Sequence, residues 1–157
     1  MVTDIVARAE QRVAGQWQVI PNLRPFDGWA TYRLFGFLAD VRNYAAIEPI
    51  SQPRGLPDEI ELSVDNEDCD PSSELYLGEH DHSWLFLAEL MSADYDRIVE
   101  DRRTSGVVDG LRYGNLTAQR GKGVKMTLRE FLGSEYFEEL DRLMQAGAQR
   151  IVFGFES

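Results

Sequence analysis

Cysteine occurs once in 157 residues, at Cys69, which excludes an internal disulfide framework and any zinc site built on several cysteines. Histidine occurs twice, at His80 and His82, and lysine twice against fourteen arginines. No apolar run approaches the ~20 residues that cross a bilayer. The first dozen residues interleave Asp4, Arg8, Glu10 and Arg12 with apolar side chains, unlike a secretory signal. These scarcities predict a soluble chain in a reducing, cytoplasmic compartment, with no membrane partner. With 43% hydrophobic and 11% aromatic residues, the length predicts a single domain over residues 1–157 whose core needs neither disulfides nor a structural metal.

A further scarcity is local. From Gly55 to Asp96 there is no Lys or Arg, while thirteen Asp and Glu crowd the same stretch. Residues 58–81 read as an acidic loop region. From Arg102 to Lys125 the bias reverses, six basic residues facing Asp109 alone. The net charge of −11 argues against direct nucleic-acid binding, which needs clustered cations to displace counterions. The polarity is open to three readings: two solvated loops, a bipolar surface, or an acidic lobe that imitates nucleic acid or docks on a basic protein as an inhibitor.

Pattern supplies the elements. Alternation over Asp4–Val13, then Ala14-Gly15, then Gln16–Ile20 predicts a hairpin with Ile5, Ala7, Ala9 and Gln11 on one face and Val6, Arg8, Glu10 and Arg12 on the other. Leu34, Phe35, Phe37, Leu38 and Val41 recur at helical spacing after Thr31, a buried helix that Gly36 weakens. Pro53, Gly55 and Pro57 shape a loop around Arg54. Leu75–Leu77 reads as a short strand, and Ser83 as the N-cap of a helix running from Trp84 to Met91. Residues 103–125, with five glycines and no period, read as a mobile Gly-rich basic loop with a small hairpin around Val108-Asp-Gly-Leu111. Thr127-Leu-Arg-Glu130 is a capping box, Ser134 restarts the helix, Gly147 ends it, and Arg150–Phe155 closes as a strand. The order predicts an α+β fold: a small, mostly antiparallel sheet, made of the N-terminal hairpin and the C-terminal strand, with helices packed on one face.

The candidate chemistry lies at constrained positions. Arg42 at a helix end and Arg54 between turn residues present guanidinium forks suited to phosphate or carboxylate. His80 and His82, two apart on an extended segment, point the same way, so they could contact an anion, transfer protons, or chelate a divalent metal with a carboxylate. Ser83 and Trp84 adjoin them, the indole as a stacking surface. Against these stand the structural readings: arginines paired with neighbouring carboxylates, histidines satisfied by backbone, an aromatic in the core. Asp65–Asp70 lacks the ligand spacing of a calcium loop, and Cys69 has no basic activator nearby. Gly121-Lys-Gly123 is too short for a phosphate-binding motif, and no P-loop, dinucleotide fingerprint or nucleophile elbow is present.

Taken together, Asp4-Ile5, Glu10, Gly15-Gln-Trp17, Tyr32-Arg-Leu-Phe35, Leu38-Ala-Asp-Val-Arg42, Pro49-Ile50, Pro53-Arg-Gly-Leu-Pro57, His80-Asp-His-Ser-Trp-Leu85 and Arg150-Ile-Val-Phe-Gly-Phe155 resemble a family of small, largely uncharacterised proteins of tailed phages, prophages and bacteria. Its members begin Met-Gly-Cys-Asp-Ile-His. The resemblance implies a phage-type accessory role in the host cytoplasm that counters host defence, with a host defence protein as partner. Where relatives carry Cys and His beside the N-terminal Asp, this chain has Thr3 and Val6, so only Asp4, His80 and His82 remain of a metal site assembled that way. The combined expectation is a protein that binds an anionic, nucleotide-like ligand through Arg42, Arg54, His80, His82, Ser83 and Trp84, without a cofactor. The alternatives are a hydrolase of phosphodiester bonds, using the two histidines or a divalent metal, and the acidic inhibitor.

Overall fold

Ala14 and Gly15 both take positive φ, +51° and +80°, the conformation that a two-residue hairpin turn demands. They join β1, Asp4–Val13, to β2, Gln16–Val19. In the computed structural model, which describes residues 2–60 and 76–157, α1 follows at Tyr32–Ala39, then β3 at His80–Phe86 and α2 at Leu87–Ser92. Next come β4 at Ile98–Asp101, β5 at Arg103–Val108, β6 at Leu111–Thr117 and β7 at Val124–Thr127. The chain ends with α3 at Leu128–Leu132, α4 at Ser134–Gln145 and β8 at Arg150–Glu156. The fold is α+β with a small antiparallel sheet. Among the described residues no helix is long and apolar enough to cross a membrane. Most of the acidic region, residues 61–75, lies outside the described residues, and with it Cys69 and Leu75 of the expected short strand.

Contacts gather the chain into two units. The first comprises Met1–Ala30, Pro53–Ala93 and Glu135–Ser157. Its sheet has the strand order β2-β1-β8-β3, every pair antiparallel. Ile151, Phe153 and Phe155 of β8 stand opposite Ala9, Ala7 and Ile5 of β1, and with Leu85, Leu90, Tyr136 and Leu143 they make a buried core. Tyr136, Leu140 and Leu143 come from the apolar stripe of α4, as its spacing predicts.

The second unit comprises Thr31–Gln52 and Asp94–Ser134. Here α1 buries Leu34, Phe35, Phe37 and Leu38, Phe37 lying 6.0 Å from the ring of Tyr95. The paired strands β4 and β7 lead into α3, where Thr127 and Glu130 form the predicted capping box. Gly36 has a packing reason that its propensity hides: a Cβ there would sit 2.7 Å from Oδ1 of Asn43. Asn43 in turn donates to Asp40 and to the Ile47 carbonyl, both at 2.8 Å, and ties down the loop after the helix.

Two elements differ from expectation. Ser83 caps no helix; it lies inside β3, fully buried, and the helix begins only at Leu87, where Glu89 accepts the Phe86 N–H at 2.8 Å. The aromatic and β-forming half of Trp84–Met91 pairs with β8 instead of coiling. Residues 103–117 are likewise no loop. They form the antiparallel ribbon β5–β6 around Asp109-Gly110, whose φ values of +52° and +79° fit a type I′ turn. The small hairpin at Val108–Leu111 is the tip of that ribbon.

Candidate functional site

Three of the six expected site residues, Arg54, Ser83 and Trp84, meet along β3. The Pro-Gly loop runs beside this strand: the Arg54 N–H donates to Ser83 Oγ at 3.0 Å and the Gly55 N–H to the His82 carbonyl at 2.9 Å. From there the Arg54 guanidinium lies over the Trp84 ring, 4.7 Å from its centroid. It donates to both oxygens of Glu89, at 2.9 and 2.7 Å, and to the Trp84 carbonyl. The Arg54 hydrogen bonds hold the Glu89 carboxyl below its usual range, against the opposing effect of burial. This arrangement is a clip that fastens the loop to the sheet, with the cation already matched by a carboxylate.

The imidazoles part company. His80 stands opposite Phe155 and Ser83 opposite Phe153, so three steps on β3 match two on β8. The extra residue is a bulge at Asp81, which takes φ +51°, and it breaks the alternation on which a shared direction depends. His80 therefore falls on the Phe155 side of the sheet. His82 falls on the other, its ring close over Gly154 and its Nε2 3.1 Å from the Gly78 carbonyl. Among the described residues no three His, Cys, Asp or Glu side chains converge as metal ligands, and Asp4, His80 and His82 are no exception. His80 instead sits in a line of its own: Asp81 Oδ2 lies 2.7 Å from its Nδ1 and Ser157 Oγ 3.0 Å from its Nε2. Thr3 Oγ1 is 2.9 Å beyond Ser157.

On the His82 side of the sheet lies an ionic network that sequence reasoning missed. Arg150 donates to Glu10 at 2.7 Å and meets Glu59 at 2.6 Å, while Arg8 lies 3.0 Å from Glu10. Arg8, Glu10 and Arg150 are all buried. Trp17 covers the Arg150 guanidinium at 4.2 Å. Alternation puts Arg8 and Glu10 on a sheet face, and a charged face normally reads as solvated; only the partner strand, 140 residues further along the chain at Arg150, makes it interior.

Arg42 belongs to the second unit. It takes φ +50°, donates to the Tyr44 hydroxyl at 3.0 Å and lies 5.9 Å from the Tyr32 ring centroid. It begins the loop whose Ala46, Ile47 and Glu48 line a cleft of about 410 Å³. Arg97, Arg102, Arg120 and Lys125 line the same cleft, with Glu48 and Glu100 as its carboxylates. Arg97 donates to the Glu48 carbonyl at 2.9 Å, and Arg102 to the Ala118 carbonyl at 2.8 Å. The side chains of Arg120 and Lys125 have no hydrogen bond or ion pair among the described residues. Between them the Gly121 N–H points at the carboxylate of Glu100, whose two oxygens accept it at 3.0 and 2.9 Å. The turn around Gly121-Lys-Gly123 thus already receives an anionic group. Its signal in the sequence was the basic bias from Arg102 to Lys125, which the brevity of the glycine motif obscured. Nearby, burial pushes the Asp101 carboxyl up, but hydrogen bonds from the Arg103 side chain and backbone outweigh it and hold the carboxyl below its ordinary value.

No family model, curated protein or solved structure matches the chain.

Proposed function

We propose that the protein binds a phosphate-bearing, nucleotide-like ligand in the cleft of the second unit, between Arg97, Arg102, Arg120 and Lys125. The observation that carries this reading is the pair of uncommitted cations, Arg120 and Lys125, on one cleft of a protein with 27 acidic against 16 basic residues. In so acidic a chain a free cation would ordinarily find a carboxylate. A guanidinium fork and an ammonium lining one cleft suit tetrahedral phosphate oxygens. The anionic ligand expected from sequence is kept, but its site moves: Arg54 is clipped to Glu89, both histidines have neighbours of their own, and Arg42 serves the loop that walls the cleft. The setting is the one the sequence resembles, a phage accessory protein that sequesters a host nucleotide and so counters a defence.

A thermal-shift panel of pyrophosphate, nucleoside mono- and triphosphates and cyclic dinucleotides tests the proposal. A ligand at a hundred times its dissociation constant adds about 2.7 kcal/mol of stability. An absence of stabilisation by every phosphorylated compound contradicts it.

A second reading has one observation in its favour. The order Asp81, His80, Ser157, with hydrogen-bond distances of 2.7 and 3.0 Å, is that of a carboxylate orienting an imidazole that takes a proton from a hydroxyl. It supports a hydrolase in which His80 acts without His82. A fluorophosphonate probe should then label Ser157 in the intact protein and fail to label His80→Ala; an unlabelled wild type removes this reading.

A further inference from the structure

We infer that the outer edge of β1 takes up an extended, basic segment of a partner protein as an added strand. In the order β2-β1-β8-β3, β8 lines the inner edge of β1 from Asp4 to Glu10, whereas β2 covers its outer edge only from Glu10 to Val13. Among the described residues the last backbone bond on that outer edge runs from the Ile20 N–H to the Ala9 carbonyl, at 2.9 Å. Ala9 therefore turns its N–H and carbonyl outward, while the Glu10 carbonyl turns inward and accepts the Gln149 N–H at 2.8 Å. The register with β8 is unbroken from Glu10 back to Asp4, so alternation gives Ala7 and Ile5 the same outward direction as Ala9. Each leaves a donor and an acceptor on an edge that no strand covers, the arrangement that an added strand satisfies.

This edge opens on a cleft. Ile5, Val6 and Ala7 are half-buried, and with residues 24–28 and Ala30 they line a space of about 320 Å³. Phe26 is fully buried and its N–H donates to Glu139 at 2.9 Å. That bond anchors the segment beside the strand and keeps it from closing on the edge as a partner. A wall so placed hinders a second folded sheet but leaves room for a single extended chain. Asp4–Ala7 offers it roughly 13 Å of edge at the rise of an antiparallel strand.

The lining of the cleft decides the charge of that chain. Asp4, Asp27 and Glu156 stand there against Arg24 alone. Glu156 accepts the Tyr76 hydroxyl at 2.7 Å. Asp4 and Asp27 are exposed, and neither carboxylate has a hydrogen bond or ion pair among the described residues. An adjoining cleft of about 580 Å³ shares Arg24 and Asp27 and adds Trp29, Glu135 and Glu138. Its remaining ions, Glu139 and Arg142, pair with each other. Lysine or arginine side chains of an added strand thus find carboxylates in both clefts and an indole face in the second. The main chain of the segment supplies the affinity and its cations the choice of partner.

Amide exchange of the full chain, followed by NMR, tests this with acetylated and amidated heptapeptides at millimolar concentration. Lys-Val-Thr-Val-Thr-Val-Lys should slow exchange of the Ile5 and Ala7 N–H groups at least tenfold, and leave Val6 and Arg8, which face β8, as they were. Glu-Val-Thr-Val-Thr-Val-Glu should bind at least tenfold more weakly. A fully N-methylated lysine peptide, which has no main-chain donors and leaves the protein untouched, should not bind. Asp4→Lys/Asp27→Lys, altering two exposed positions, should reverse the preference between the two charged peptides at an unchanged melting temperature. A lysine peptide that leaves both amides unprotected, an acidic peptide bound as well, an N-methylated peptide that still binds, or an unreversed preference overturns the inference. Protection that grows with protein concentration alone would put a second copy on the edge and overturns it as well.

Discussion

Glu10 is the residue on which the interior of the first unit turns electrostatically. Its two carboxylate oxygens serve Arg150 at 2.7 Å and Arg8 at 3.0 Å, with all three side chains buried. Removing the carboxylate takes from Arg8 and Arg150 the buried counter-charge they share, leaving Arg150 with Glu59, and breaking a buried pair in this way costs about 3–5 kcal/mol. Glu10→Ala should therefore lower the free energy of chemical unfolding by that amount, whereas a loss under 1 kcal/mol would mean that the network is hydrated. Tyr76 offers a test by titration. Its hydroxyl donates to Glu156 at 2.7 Å, and this bond, with burial, pushes its pKa from 10.0 to about 12. A raised folded pKa holds its proton longer than the unfolded chain does, so the contribution to stability is complete below pH 10 and is lost as pH rises towards 12. Tyr76→Phe should flatten the alkaline fall in melting temperature and remove the latest phenolate step in the absorbance titration.

Among the elements, those that announce themselves by local pattern were legible. The β1–β2 hairpin, α1, the capping box of α3, α4 and β8 follow from alternation, helical spacing and turn residues. The misread elements depend on distant partners. Trp84–Met91 has the apolar density of a helix, and its first three residues are strand only because β8 lies alongside. The glycines of 103–117 suggested looseness, yet Asp109-Gly110 is a tight turn and the ribbon pairs through it. The bulge at Asp81 leaves no trace in the sequence. Gly36 in α1 gives a test in which packing and propensity disagree. Helix propensity alone favours Ala over Gly by about 0.8–1.0 kcal/mol, but the added methyl would press on Asn43 Oδ1 at 2.7 Å. Gly36→Ala should lower the melting temperature; a rise would show that the Asn43 loop yields freely.

At the scale of the whole molecule, the charge polarity seen along the chain becomes a division between units: six basic and nineteen acidic residues in the first, ten and eight in the second. The sequence made that polarity visible but not its use. It singled out Arg54, Ser83 and Trp84, which do meet, and missed Arg97, Arg102, Arg120 and Lys125, because a cleft lined from residue 46 to residue 125 has no contiguous motif. The anion is expected where cations lack internal partners. Isothermal titration of a nucleoside triphosphate into the wild type and into Arg120→Glu/Lys125→Glu addresses that claim most directly. Saturable binding to the wild type, weakened at least a hundredfold in the variant while its melting temperature is kept, is the predicted result. Equal affinity in both proteins, or no heat in either, would contradict it.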